Sequence, residues 1–69
     1  MLSFEVIESG KAIQIYADDD GLLLLRNALE RVTSAGHLHL RSIANGGKEL
    51  DDANPWGQAA IGEAIISAA

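Results

Sequence analysis

The sequence contains no cysteine, a single proline, and one each of tryptophan, tyrosine and phenylalanine. Without cysteine no disulfide can strengthen the fold, and such a composition is typical of proteins from a reducing cytoplasm. A chain of 69 residues allows one domain, residues 1–69, near the lower size limit for folding without cross-links. Apolar residues make up 48% of it, so some of them must stay exposed or be covered by a partner.

Basic residues are scarce as well. Five lysines and arginines stand against 10 aspartates and glutamates, giving a net charge of −5, which disfavours nucleic acid and favours a basic protein partner. Long hydrophobic runs are absent, because stretches such as Leu22 to Leu25 are far below the roughly 18 residues of a membrane span. The first residues also lack the basic start and apolar block of a secretion signal. We therefore expect a cytoplasmic protein that binds neither nucleic acid nor membrane.

The first third of the chain has the pattern of a β-hairpin. Two segments of mixed polarity, 3–8 and 11–16, flank Ser9-Gly10, and glycine in a two-residue connection is typical of a primed turn. Closing the hairpin there places Glu8 opposite Lys11 and the strand residues opposite one another in a fixed register. A slip of one residue would scramble both faces, so this register is strongly specified. In it, one face carries four apolar side chains: Phe4, Val6, Ile13 and Ile15.

A helix follows the hairpin. One of the three aspartates in Asp18-Asp19-Asp20 is expected to cap its start, since carboxylates accept the free N–H groups of the first turn. From residue 22 to 34 the apolar positions recur at helical spacing and predict one buried stripe. Leu23 does not fit this stripe and projects onto the polar side, while Gly36 is placed to end the helix in a left-handed conformation. The predicted stripe consists of Leu22, Leu25, Ala28, Leu29 and Val32.

The segment after Gly36 has the alternation of a half-buried strand. Leu38 and Leu40 alternate with His37, His39 and Arg41, which is the period-two pattern in which one face meets the core and the other meets water. We expect both leucines to point inward beneath the helix. Both imidazoles then face away from it.

The remaining third of the chain is harder to interpret. Asn54-Pro55 could begin a helix or form a turn. In residues 58–69 the alanines and the spacing of Ile61 and Ile65 favour a helix, but two glycines interrupt it, and we favour a last strand at 63–67. The sequence therefore predicts an α+β fold: a small ββαββ domain, with a mostly antiparallel sheet and one helix packed on its apolar face.

The residues that could carry chemistry do not form a specific motif. His37 and His39 point the same way on a strand and could share a metal ion, but a third ligand such as Glu5, Asp51 or Asp52 is not fixed by the sequence. No nucleophile-elbow pattern surrounds a serine, and so small a domain has little room for a pocket of about 300 Å³. We therefore expect a non-enzymatic protein without a cofactor, with a metal-binding protein or small metal-dependent enzyme as the alternative.

The exposed polar residues suggest a protein-binding surface instead. The outward strand side chains could contact a partner, the acidic loop after the glycines could attract a basic one, and the single tryptophan is either an interface anchor or a cover for the core edge. Leu23 on the polar helix side raises a further alternative, a structural homodimer domain, because so small a core contributes only about 3–5 kcal/mol. The partner-binding candidates are His37, His39, Arg41, Glu49, Asp51, Asp52 and Trp56.

The order of a hairpin, GLLLLRNALERVTSAG, HLHLRS and GGKEL resembles the immunity protein thirty-two family of bacterial polymorphic toxin systems. The resemblance covers a leucine-rich helix, a His-x-His-Leu strand and a Gly-Gly-x-x-Leu loop. Asn45 stands where the family has an aromatic residue, and the segment from Gln58 to Ala69 is less hydrophobic than the family's closing strand. The resemblance implies a protein that binds and neutralises a cognate toxin by occlusion.

Overall fold

The computed structural model describes all 69 residues. It contains β1 (Leu2–Ile7), β2 (Ala12–Ala17), α1 (Asp19–Ala35), β3 (His37–Arg41) and β4 (Glu63–Ser67). This order confirms the predicted α+β class and the ββαββ arrangement. The strands differ from the expectation in one respect, because they form two antiparallel pairs, β1 with β2 and β3 with β4, and not one continuous sheet.

The two sheets are joined by the long segment between β3 and β4. Leu50 donates its N–H to the Arg41 carbonyl at 3.2 Å, and the next residue, Asp51, donates to the Leu2 carbonyl at 2.8 Å. Further on, the N–H of Ile61 donates to the Phe4 carbonyl at 2.8 Å. This segment therefore hydrogen-bonds to the outer edge of β1. In a single sheet, a third strand would make those hydrogen bonds.

The hairpin register agrees with the prediction. Phe4 lies opposite Ile15, and the pairing continues without a slip to Ile7 opposite Ala12. Positive φ values occur at Glu8, Ser9 and Gly10, at 53°, 57° and 86°, which is one residue more than the predicted two-residue primed turn has. A related correction concerns Glu8 and Lys11, which belong to the turn and not to the strands, with the Lys11 N–H donating to the Glu8 carbonyl at 3.2 Å.

Only part of the apolar hairpin face is buried. Phe4 is 8% exposed, whereas Val6, Ile13 and Ile15 are 53%, 66% and 45% exposed. The core collects around Leu2 at the other end of the hairpin, so the half of this face nearest the turn projects beyond it. The sequence predicted that these four side chains share one face. The structure adds that three of them are not covered by the core.

The helix begins and ends as the capping residues indicate. Asp18 is the N-cap, and its side chain accepts the Gly21 N–H at 2.8 Å, while Gly36 ends the helix with a φ of 86°. The buried stripe differs from the predicted one, because Leu22 and Leu29 are 55% and 52% exposed. The close approach of the Met1 backbone to Gly21 turns that side of the helix inward. The helix side chains facing the core are Leu24, Leu25, Ala28 and Val32.

Leu38 and Leu40 point inward, as predicted. Leu40 is 1% exposed, and Leu38 is partly buried against the same cluster, while both histidines of β3 are exposed. The strand expected at 63–67 is present, with Ala64 and Ile66 opposite the two leucines. The buried residues of the central cluster are Leu2, Phe4, Ala28, Leu40 and Leu50. The 17 residues of α1, the one α-helix, do not combine the length and the apolar character that crossing a membrane would need.

Candidate protein-binding surface

The outward side of the β3–β4 sheet forms a surface that no other part of the chain covers. His39 lies opposite Ile65 and Arg41 opposite Glu63, so side chains distant in sequence share one face. Ile65 is 56% exposed, and the charged and imidazole side chains around it are also exposed. We call this surface the histidine face; it comprises His37, His39, Arg41, Glu63 and Ile65.

A small charge network orders the histidine face. Glu63 Oε2 accepts a hydrogen bond from Arg41 Nε at 2.6 Å and lies 3.1 Å from His39 Nδ1. The His37 and His39 rings meet edge to face, with centroids 5.3 Å apart. Because one carboxylate contacts both neighbours, the guanidinium and the imidazole have defined positions on this face.

The arginine also sets the acidity of that carboxylate. Hydrogen bonds from Arg41, and then from His39, lower the pKa of Glu63 below its usual range. We expect Arg41→Gln to raise this pKa towards the ordinary glutamate value, as measured by the pH dependence of the Glu63 side-chain carboxyl carbon in an NMR titration. Since the folded pKa lies below the unfolded one, the pair stabilises the fold above the unfolded pKa. That contribution is lost as the pH falls through the folded pKa. An unchanged Glu63 titration in Arg41→Gln would contradict the assigned pairing.

The carboxylates of the predicted acidic loop have structural partners. Glu49 Oε2 accepts the Lys48 N–H at 2.8 Å and lies 3.5 Å from the Arg41 N, which places it at the end of β3 beside the histidine face. Hydrogen bonds from backbone N–H groups, chiefly that of Lys48, lower the pKa of Glu49 below its usual range. The other two, Asp51 and Asp52, accept backbone hydrogen bonds from Leu2 and Ala44.

Trp56 lies against the other hairpin. Its ring meets Tyr16 of β2 edge to face with centroids 5.1 Å apart, and the residue is 70% exposed. A side chain this exposed does not close the core edge. The structure thus places Trp56 with β2, apart from the network around Glu63.

The two imidazoles lie side by side without two further side chains that would complete a metal site. Nowhere in the chain do three histidine, cysteine or carboxylate side chains converge in an arrangement that could hold a metal ion. Glu63 Oε2 contacts the imidazole of His39, and Arg41 donates a hydrogen bond to the same oxygen. A shallow depression of about 200 Å³ lies elsewhere, between the start of α1 and the acidic loop, and is lined in part by Met1, Asp20 and Glu49.

Glu63 and Ile65 are the members of this surface that the sequence did not single out. Both lie in the segment whose conformation was ambiguous, and its pairing with β3 spans a long stretch of intervening chain. Once a strand is assumed at 63–67, period-two alternation places residues 63, 65 and 67 on one face. In the structure these three residues are exposed, and residues 64 and 66 are partly buried.

Comparisons with protein-family models, with curated proteins and with solved structures found no match to this chain.

Proposed function

We propose that this chain is a non-enzymatic protein-binding module of the bacterial cytoplasm that uses the histidine face, with the acidic residues beside it, to occlude a partner. The observation that carries the proposal is the exposed pair of His39 and Arg41, both held by Glu63, beside the exposed side chain of Ile65. The resemblance to the immunity protein thirty-two family supports a cognate toxin as the partner.

The composition of the surface suits a protein partner. Interfaces are enriched in arginine and combine an apolar centre with a polar rim, and here an exposed isoleucine lies between an arginine and two histidines. Glu49, Asp51 and Asp52 add negative charge close to the end of β3, and the whole chain carries a net charge of −5. These charges favour a partner with a basic surface and raise the rate of encounter with it.

The test uses the product of the open reading frame next to this gene, because toxin and immunity genes are expected side by side. The two proteins are purified separately, and their association is measured by isothermal titration calorimetry. We expect Ile65→Arg and Arg41→Glu each to weaken binding by about tenfold or more, as changes at an interface centre do. The matched control is Asn27→Arg, which introduces a charge at an exposed helix position and should leave binding unchanged.

Circular dichroism of each variant separates lost binding from lost folding. Wild-type affinity in folded Ile65→Arg and Arg41→Glu would remove the histidine face from the interface. If the neighbouring product neither binds the chain nor is inhibited by it, the immunity function is wrong.

A further inference from the structure

The open edge of β2 differs from the edges that natural proteins protect. Exposed edge strands usually carry a lysine, a proline or a bulge that prevents pairing with another chain. Residues 12–17 read Ala-Ile-Gln-Ile-Tyr-Ala, with no charge and no proline, and the pairing with β1 is continuous. On its other side β2 has no strand partner, and Ile13 and Ile15 remain 66% and 45% exposed.

The backbone groups on this edge can be assigned from the bonds of β1. The Phe4 carbonyl accepts from Ile61, on the side of β1 away from β2, so the pair Phe4 and Ile15 is not hydrogen-bonded within the hairpin. The N–H and C=O of Ile15 therefore point to the open edge. By the alternation of an antiparallel ladder, those of Ile13 do the same.

We propose that a second copy of this chain pairs with β2 in antiparallel orientation, about a two-fold axis at Gln14. In this register Ile13 of each copy exchanges both backbone hydrogen bonds with Ile15 of the other, and Gln14 faces its own equivalent. The result is a four-stranded sheet in which the half-exposed isoleucines of both copies lie side by side on one face. The interface is isologous and closes on itself, as two-fold dimers do.

The charges at the two ends of β2 favour this orientation. Lys11 precedes the strand and makes no ion pair within the chain, and three aspartates, residues 18–20, follow it. Asp18 is paired with the Met1 ammonium group, and Asp19 and Asp20 make no ion pair within the chain. Antiparallel pairing brings Lys11 of each copy beside the aspartates of the other. Parallel pairing would bring lysine to lysine and aspartate to aspartate, which is repulsive at both ends. The chain is therefore complementary to itself in only one of the two orientations.

This inference does not depend on the proposed function, because β2 and the histidine face belong to different sheets. The proposed dimer contact also differs from the one predicted from the sequence, which was the helix residue Leu23. Leu23 is 54% exposed. Variants at Gln14 and at Leu23 therefore distinguish a dimer formed through β2 from one formed through the helix.

The first test is disulfide cross-linking of Gln14→Cys. The protein has no other cysteine, so the introduced thiol can form a disulfide only with its equivalent in a second copy. Across a non-hydrogen-bonded pair the Cα atoms lie about 4.5 Å apart, within the range that a disulfide spans. We expect mild oxidation to convert this variant to a disulfide-linked dimer at least about tenfold faster than Thr33→Cys, an exposed helix position of the same chain. Equal rates for the two variants would overturn the proposal.

The second test measures the molar mass of proteins without cysteine by sedimentation equilibrium. We expect the wild type to approach twice 7.3 kDa as its concentration rises, and Gln14→Lys and Gln14→Glu each to remain at 7.3 kDa. Mixing these two variants should restore the dimer, because opposite charges then meet at the axis. A wild-type monomer at every concentration would overturn the proposal. So would a dimer that survives Gln14→Lys but is lost in Leu23→Glu, since the contact would then be the helix.

Discussion

Replacing Leu40 with alanine is expected to lower the free energy of unfolding by about 2–5 kcal/mol, the usual cost of a fully buried leucine. Leu40 is 1% exposed and belongs to the central cluster with Phe4, Ala28 and Leu50. A chain of this length has a total stability of roughly 3–10 kcal/mol, so one such substitution removes much of it. The effect is large because the small core has few other contacts to compensate for the cavity.

Urea denaturation followed by circular dichroism measures the change. The matched control is Leu23→Ala, which removes the same atoms from a side chain that is 54% exposed and should change stability by less than about 0.5 kcal/mol. Equal midpoints for the two variants would mean that Leu40 does not lie in the core, and the assigned faces of β3 would then be wrong.

Asn54→Ala should cost about 2–4 kcal/mol, because this buried amide, 5% exposed, organises the turn that follows it. Its Oδ1 accepts the N–H groups of Trp56 and Gln58, both at 3.0 Å, and its Nδ2 donates to Glu5 Oε1 at 2.8 Å. Alanine removes these three hydrogen bonds together, and each of them contributes about 1 kcal/mol. Asn54-Pro55 is thus a turn and not the start of a helix.

Thermal unfolding of three variants tests this role. Asn27→Ala, at an exposed helix position, should leave the melting temperature unchanged or raise it slightly, since alanine has the higher helix propensity. Asn54→Asp keeps the acceptor oxygens but loses the donor to Glu5 and adds a like charge beside it. We expect it to melt below the wild type, with a deficit that narrows as the pH is lowered and the carboxylates are protonated. A melting temperature of Asn54→Ala within a degree or two of the wild type would contradict the network.

The parts of the fold that the sequence predicted are those set by local chemistry. The hairpin register followed from Ser9-Gly10 and the alternation of Phe4 to Ile15, and the structure has that register. The helix start followed from the capping preference of aspartate, and Asp18 is the residue that caps it. Within β3, period-two alternation was enough to assign Leu40 to the core.

The parts that were not predicted depend on contacts between distant segments. Leu22 and Leu29 have the spacing of a buried stripe, yet the helix is turned so that Gly21 meets the Met1 backbone instead. The structure has two sheets where one was predicted. Residues such as Leu50 and Ile61 hydrogen-bond to the backbones of β3 and β1, at the edges where those strands would have paired. Neither outcome is contained in a local pattern.

The candidate surface shows the same division. His37, His39 and Arg41 could be assigned to the outward face from alternation alone, whereas Glu63 and Ile65 reach it only through the pairing of β4 with β3. The ion pair between Arg41 and Glu63 therefore had no sequence signal.

The pairing of β3 with β4 assembles the histidine face, and one NMR measurement tests it most directly. Ser42 donates its N–H to the Gly62 carbonyl and Ala68 donates to the Gly36 carbonyl, which makes His39 and Ile65 a non-hydrogen-bonded pair. Their α-protons then lie close together, and we predict a strong nuclear Overhauser effect between them. A strong effect from the α-proton of His39 to that of Ala64 or Ile66 instead, or none to any residue of 63–67, would show that the surface described here does not exist.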